Sequence, residues 1–153
     1  MSNDTFAHSV YGWEVEILPE EMEQLNAIAE EFVTEEPCGN DIQETIDELM
    51  EREPDEPGHL QMLEWLNRVS ARLALQQGVG EIYSQQNPVI VNYLLPHFVA
   101  ADCYEGCQVE PGSVVFGLVL HSFPAIMLPA NPAVNALLKA MQYSKAEWLT
   151  WVT

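Results

Sequence analysis

Glu44, Asp47, Glu48 and Glu51 recur at i, i+3, i+4 and i+7, the spacing that stacks side chains along one stripe of a helix. Carboxylates so placed can pass protons as an acid–base pair, hold a divalent cation, or offer a row of negative charge to a basic surface. Each pair of like charges one turn apart weakens the helix by about 0.2–0.5 kcal/mol. Glu51 and Glu53 also fall near the helix end at which the backbone dipole disfavours anions. Local stability rules are broken repeatedly here, which points to a reason outside folding.

The stripe belongs to a larger asymmetry. Of the 24 Asp and Glu residues, 18 lie between Glu14 and Glu64, where Arg52 is the only Lys or Arg; that segment carries −17 of the chain's formal −19. Residues 65–153 are nearly neutral, at −1. A field concentrated in this way repels nucleic acid and anionic lipid and draws basic surfaces toward it. Direct binding of DNA or RNA is excluded on the same ground, since five Lys and Arg are too few to neutralise a run of phosphates. Solubility alone would be served by charge spread along the whole chain, so its localisation favours a binding surface. The candidate contact residues are Glu20, Glu23, Glu30, Glu31, Glu35, Glu36, Glu44, Asp47, Glu48, Glu51, Glu53, Asp55 and Glu56.

Other chemistry is weaker. His97, Cys103, Cys107 and His121 follow H-x5-C-x3-C-x13-H, which has the residue types of a tetrahedral zinc site without the spacing of an established one. These four are the weak metal candidates, and they support one alternative, a metal-dependent enzyme. Glu53, Asp55 and Glu56 cluster without the alternating ligands, central glycine and terminal glutamate of an EF-hand. Neither a glycine-rich phosphate loop nor a nucleophile elbow is present, so the chain reads as a non-enzyme that needs no cofactor.

The elements that must carry the acids follow from periodicity. Tyr11, Trp13, Val15 and Ile17 alternate with Glu14 and Glu16 as a half-buried strand does. Pro19 then opens a helix over 19–35 with Met22, Leu25, Ile28 and Phe32 inward. A second helix over 41–53, capped by Asn40, buries Ile42, Ile46 and Leu49, and the two prolines of Glu53–Gly58 mark an acidic loop. A third, His59–Gln77, has Met62, Leu66, Val69 and Leu73 inside. Its Glu64 and Arg68 are an i,i+4 pair, while Arg68 and Arg72 are placed to pair with acids of the neighbouring helix and orient the acidic layer.

Beyond Gly80, Pro96 interrupts a segment over 88–102 that reads as a broken helix, and residues 113–121 form a buried strand with a partner at 125–128. A helix runs from Asn131-Pro132 to Gln142. Ser144 and Glu147 then make a capping box ahead of Trp148, Leu149, Trp151 and Val152, which predicts a short terminal helix that docks on the core or supplies a dimer contact.

These expectations describe one α+β domain over 1–153, rich in helices, with an N-terminal strand and a small sheet. Acidic helices lie on one face (14–64) and an apolar scaffold half supports them (65–153). Residues 1–10 lack the basic start and apolar run of a secretory signal, no segment is apolar enough to span a bilayer, and the three cysteines are odd in number, so a reduced, cytoplasmic protein is expected. Acidic phage and mobile-element inhibitors that mimic DNA have a similar charge balance, as do immunity proteins that block toxic nucleases; the likeness is one of composition. The expected partner is a basic nucleic-acid-binding protein, such as a nuclease, a restriction or CRISPR complex, or a DNA-binding regulator. A small acidic secretion chaperone that binds a protein client, usually as a dimer, is the alternative within binding proteins.

Overall fold

A computed structural model describes residues 7–33, 42–99, 109–110, 112–119 and 132–152. Four antiparallel strands form a sheet against which six helices of the described residues are arranged, an α+β architecture. The strands are β1 (Ala7–Val15), β2 (Leu94–Phe98), β3 (Val114–Val119) and β4 (Glu147–Val152), in the order β2-β3-β1-β4. The helices are α1 (Pro19–Phe32), α2 (Ile42–Glu51), α3 (His59–Gln76), α4 (Gly80–Ser84), α5 (Pro88–Tyr93) and α6 (Pro132–Tyr143).

Alternation along β1 sends Tyr11 and Trp13 into the main core with Phe116 and Leu118 of β3 and Leu94 and Phe98 of β2, where helices α1 to α3 close over them. The neighbouring positions Val10, Val115, Leu149 and Trp151 gather with Val99 and Val109 in a second, smaller cluster. Trp65 of α3 is fully buried and donates its indole N–H to the Glu21 carbonyl of α1 at 2.9 Å, which fixes the register of one helix on the other. The inner face expected of α3 is present, and Trp65, Ser70 and Ala74 widen it.

Two segments differ from expectation. Residues 88–98 are not a broken helix: Asn87 Oδ1 accepts the Val89 N–H, Pro88 opens a helix of only six residues, and the chain then extends as β2. Pro96 is tolerated inside that strand because β2 lies at the sheet edge, where one missing N–H need not break a ladder. The terminal helix is overturned outright. Ser144 finishes α6 by donating its N–H to Ala140 O, and its own carbonyl accepts the Trp13 indole N–H at 2.9 Å. Lys145 then turns left-handed at φ 64°, and Glu147–Val152 pairs with β1. Trp-Leu-Thr-Trp-Val is β-favouring, and pairing with a distant strand outweighs a local cap. The expected Asn40 cap and the strand at 125–128 lie outside the described residues.

Candidate functional site

The acidic helices are built differently on their two sides. Leu25 of α1 and Thr45, Ile46 and Leu49 of α2 are buried, and both helices pack on α3. Glu20, Glu23, Glu30 and Glu31 of α1, Glu44, Asp47, Glu48 and Glu51 of α2, and Glu53, Asp55 and Glu56 of the following loop are all exposed. Glu35 and Glu36, the other two candidate contacts, lie outside the described residues.

Gly58 shows where the acidic elements converge. It caps α3 at φ +94°, and a Cβ added there would fall 2.8 Å from Phe32 Cβ and 2.9 Å from Leu49 Cδ2. The last turns of α1 and α2 therefore meet the start of α3 at one point. Glu30 and Glu31, Glu48 and Glu51, and the loop acids all sit within a turn or so of it along the chain. Neither α1 nor α2 has a basic residue in its last turn to offset the dipole there. Arg52, the cation of this region, is turned inward onto the loop: it donates to Pro57 O at 2.8 Å and stands 3.5 Å from Glu48.

One acid of the segment is treated in the opposite way. Glu21 is buried, and Arg72 of α3 donates to both its oxygens, at 2.8 Å to Oε2 and 2.7 Å to Oε1. The Leu18 N–H reaches Oε1 as well, at 2.9 Å, the carboxylate side of a capping box at the start of α1. Burial by itself would raise this carboxyl; the Arg72 hydrogen bonds, the Leu18 N–H and the charges of Arg72 and Arg68 outweigh it and hold Glu21 below its ordinary value. The expected pairing of Arg72 with an acid of the neighbouring helix is met. Arg68 instead donates to Gln24 Oε1 at 2.7 Å and leaves Glu64 aside. Glu21 was not among the candidate residues, although its place two positions after Pro19 was a sequence signal for a capping carboxylate.

His97 is on β2 and half-buried, while Cys103, Cys107 and His121 lie outside the described residues. Among the described residues no three His, Cys, Asp or Glu side chains are grouped so as to hold a metal ion. An open cleft of about 990 Å³ between β1, α1 and the start of α2 is lined by Glu14, Glu16, Ile17, Met22, Ile42 and Phe98 among others. A smaller one of about 250 Å³ lies between α2, α3, α5 and β2, with Ile46, Met50, Leu63, Leu66, Val91 and Leu95 on its walls. Its size is a little below the ~300–1,000 Å³ of small-molecule sites. In neither is there a nucleophile hydrogen-bonded to a base among the described residues. No helix of the described residues is long and apolar enough to cross a membrane. Compared with known proteins, the chain matches no family, no curated protein and no solved structure.

Proposed function

We propose that this protein is a non-catalytic inhibitor that occupies the nucleic-acid-binding groove of a basic partner, presenting carboxylates where the groove is built to take phosphates. One contrast carries the reading. The acid that is buried, Glu21, has its own arginine clamp, whereas the acids at the ends of α1 and α2 and in the loop after them stay in solvent around a single arginine. A fold that neutralises what it buries and leaves the rest exposed keeps its field for something outside itself. Carboxylates one helical turn apart are about 5.4 Å apart along the axis, a spacing on the scale of a phosphate track.

Binding of this kind is long-ranged and screened by salt. Immobilised protein should therefore capture a nucleic-acid-binding partner from lysate at about 50 mM salt and lose most of it at about 500 mM, where the Debye length has fallen to a few ångströms. Reversal of Glu44, Asp47, Glu48 and Glu51 to Lys should weaken that partner's binding at least about tenfold while the far-UV spectrum is retained, since cations suit a helix C-terminus. Capture unaffected by both salt and the reversal, with the fold intact, sinks the proposal. A client held equally at both salt concentrations points to the chaperone alternative.

A further inference from the structure

The two edges of the sheet are not alike. On β2, Pro96 removes one donor, and the side chain of Gln43 reaches from α2 to accept the Phe98 N–H at 2.8 Å, so that edge is interrupted and partly covered. On β4 the six residues Glu147–Val152 pair with β1 along their whole length, and among the described residues no strand lies on the other side. Apart from Glu147 at its start the strand carries no charge, and it has no proline and no bulge, the other usual devices that keep an edge from pairing. Trp148 stands on this edge with 57% of its surface exposed, its ring 5.1 Å from Tyr11.

More apolar surface lies close by. Tyr143, 91% exposed, ends α6 just before the turn into β4. The α3 C-terminal end abuts that turn, since a Cβ on Gly78 would come within 3.2 Å of Ser144 Oγ, and Leu75 at that end is also exposed. Three of the five large hydrophobic side chains exposed among the described residues are thus at one end of the molecule.

We infer that β4 is a dimerisation edge, pairing antiparallel with β4 of a second copy of this chain to make a continuous eight-stranded sheet. Charge selects the occupant. Residues 65–153 carry a net −1, and β4 is separated by β1 and β3 from the edge that Gln43 ties to α2. With strands about 4.8 Å apart, two copies joined through β4 keep their acidic α2 helices at the far ends of the joint sheet, several Debye lengths from each other. Contact through α1 or α2 would press two strongly anionic segments together. Any register centred on a single residue preserves the pleat, places both Trp148 side chains on the helix-covered face, and repeats each new hydrogen bond about the two-fold axis. This inference does not depend on the phosphate-mimic proposal.

Sedimentation of the full chain between about 1 and about 100 µM tests it, because a dimer's population follows mass action. The expected mass at the upper end is twice the 17.2 kDa of one chain, unchanged or strengthened by added salt. Trp148→Lys should return the monomer mass. Thr150→Lys, which leaves the Trp148–Tyr11 contact in place, should do the same, with the circular dichroism of both variants like the wild type. A monomer at every concentration overturns the inference, as does a dimer that survives both lysines or is dissolved instead by the α2 charge reversal.

Discussion

Gly12→Ala is expected to destabilise the protein by about 3 kcal/mol or more, at the upper end of what overpacking of a tight site costs. A Cβ at position 12 would sit 2.0 Å from the Phe116 carbonyl oxygen and 2.6 Å from Gly117 Cα, and one at position 117 would sit 2.3 Å from the Tyr11 carbonyl oxygen. The atoms met are backbone atoms of the paired strand, which no rotamer change can move aside. Gly12 and Gly117 are direct partners in the β1–β3 ladder, flanked by the Trp13–Phe116 pair, whose rings are stacked at 6.1 Å. A shift that makes room for a methyl group must therefore pull apart the two central strands and the aromatic pair beside them. For a chain of this size the loss corresponds to a fall in Tm of about 6–12 °C. Gly117→Ala should behave alike, and the double variant should lose less than the sum, because both methyls enter the same gap. Gly112 supplies the control: its φ is +86° with nothing within 4 Å of an added Cβ, so alanine there meets only the left-handed backbone penalty of about 1–2 kcal/mol. Thermal unfolding followed by tryptophan fluorescence separates these outcomes; equal effects at 12 and 112 would show that the close approach of β1 and β3 is not rigid.

The same glycines show how far the sequence could be read. Alternation located the first strand, because Tyr11, Trp13 and Val15 need one buried face and the pattern is local. Helical spacing located α1, α2 and α3 for the same reason, down to Met62, Leu66, Val69 and Leu73. What local pattern does not contain is partnership. Gly12 within Tyr-Gly-Trp and Gly117 within Phe-Gly-Leu each hint at a close backbone approach, but only the strand order shows that they approach each other. Glu147–Val152 failed for a related reason: its capping box is a local signal, and the strand partner that overrides it lies 135 to 145 positions away at the other end of the chain. The candidate contact acids of α1, α2 and the following loop were legible as exposed because Arg52 is the only Lys or Arg near them in sequence. Glu21 carries a local signal only for capping α1; that it is buried and paired depends on an arginine 51 positions on.

That arginine yields the second large effect. Arg72→Ala removes a fork that holds both oxygens of Glu21 and also donates to the Glu16 carbonyl at 3.1 Å. Removing one partner of a buried pair typically destabilises by about 3–5 kcal/mol, since the other charge stays buried and alone. The guanidinium here is 27% exposed, so some solvent screening persists and about 2–4 kcal/mol is the expected loss at neutral pH. Lysine, with a point charge and no planar fork, should recover only part of it. The sign of the pH dependence distinguishes a lost ion pair from lost packing. Because the folded-state value of Glu21 is lowered, its contribution is complete above the ordinary 4.5 and is lost as pH falls through the lower folded value. In Arg72→Ala, burial is opposed only by the Leu18 N–H and Arg68, so less of the lowering remains and protonation of Glu21 costs the variant less than it costs the wild type. The gap between the two chains should then narrow steadily below about pH 4.5, while the other carboxylates titrate in both and cancel in the difference. Urea unfolding of the pair at neutral pH and near pH 4 measures this. In the Glu21→Gln background the Arg72→Ala loss should be smaller and its pH dependence in this window should vanish. A gap of constant size in both backgrounds would assign Arg72 to packing by its aliphatic stem, and Glu21 would then be no more a structural charge than the exposed acids around it.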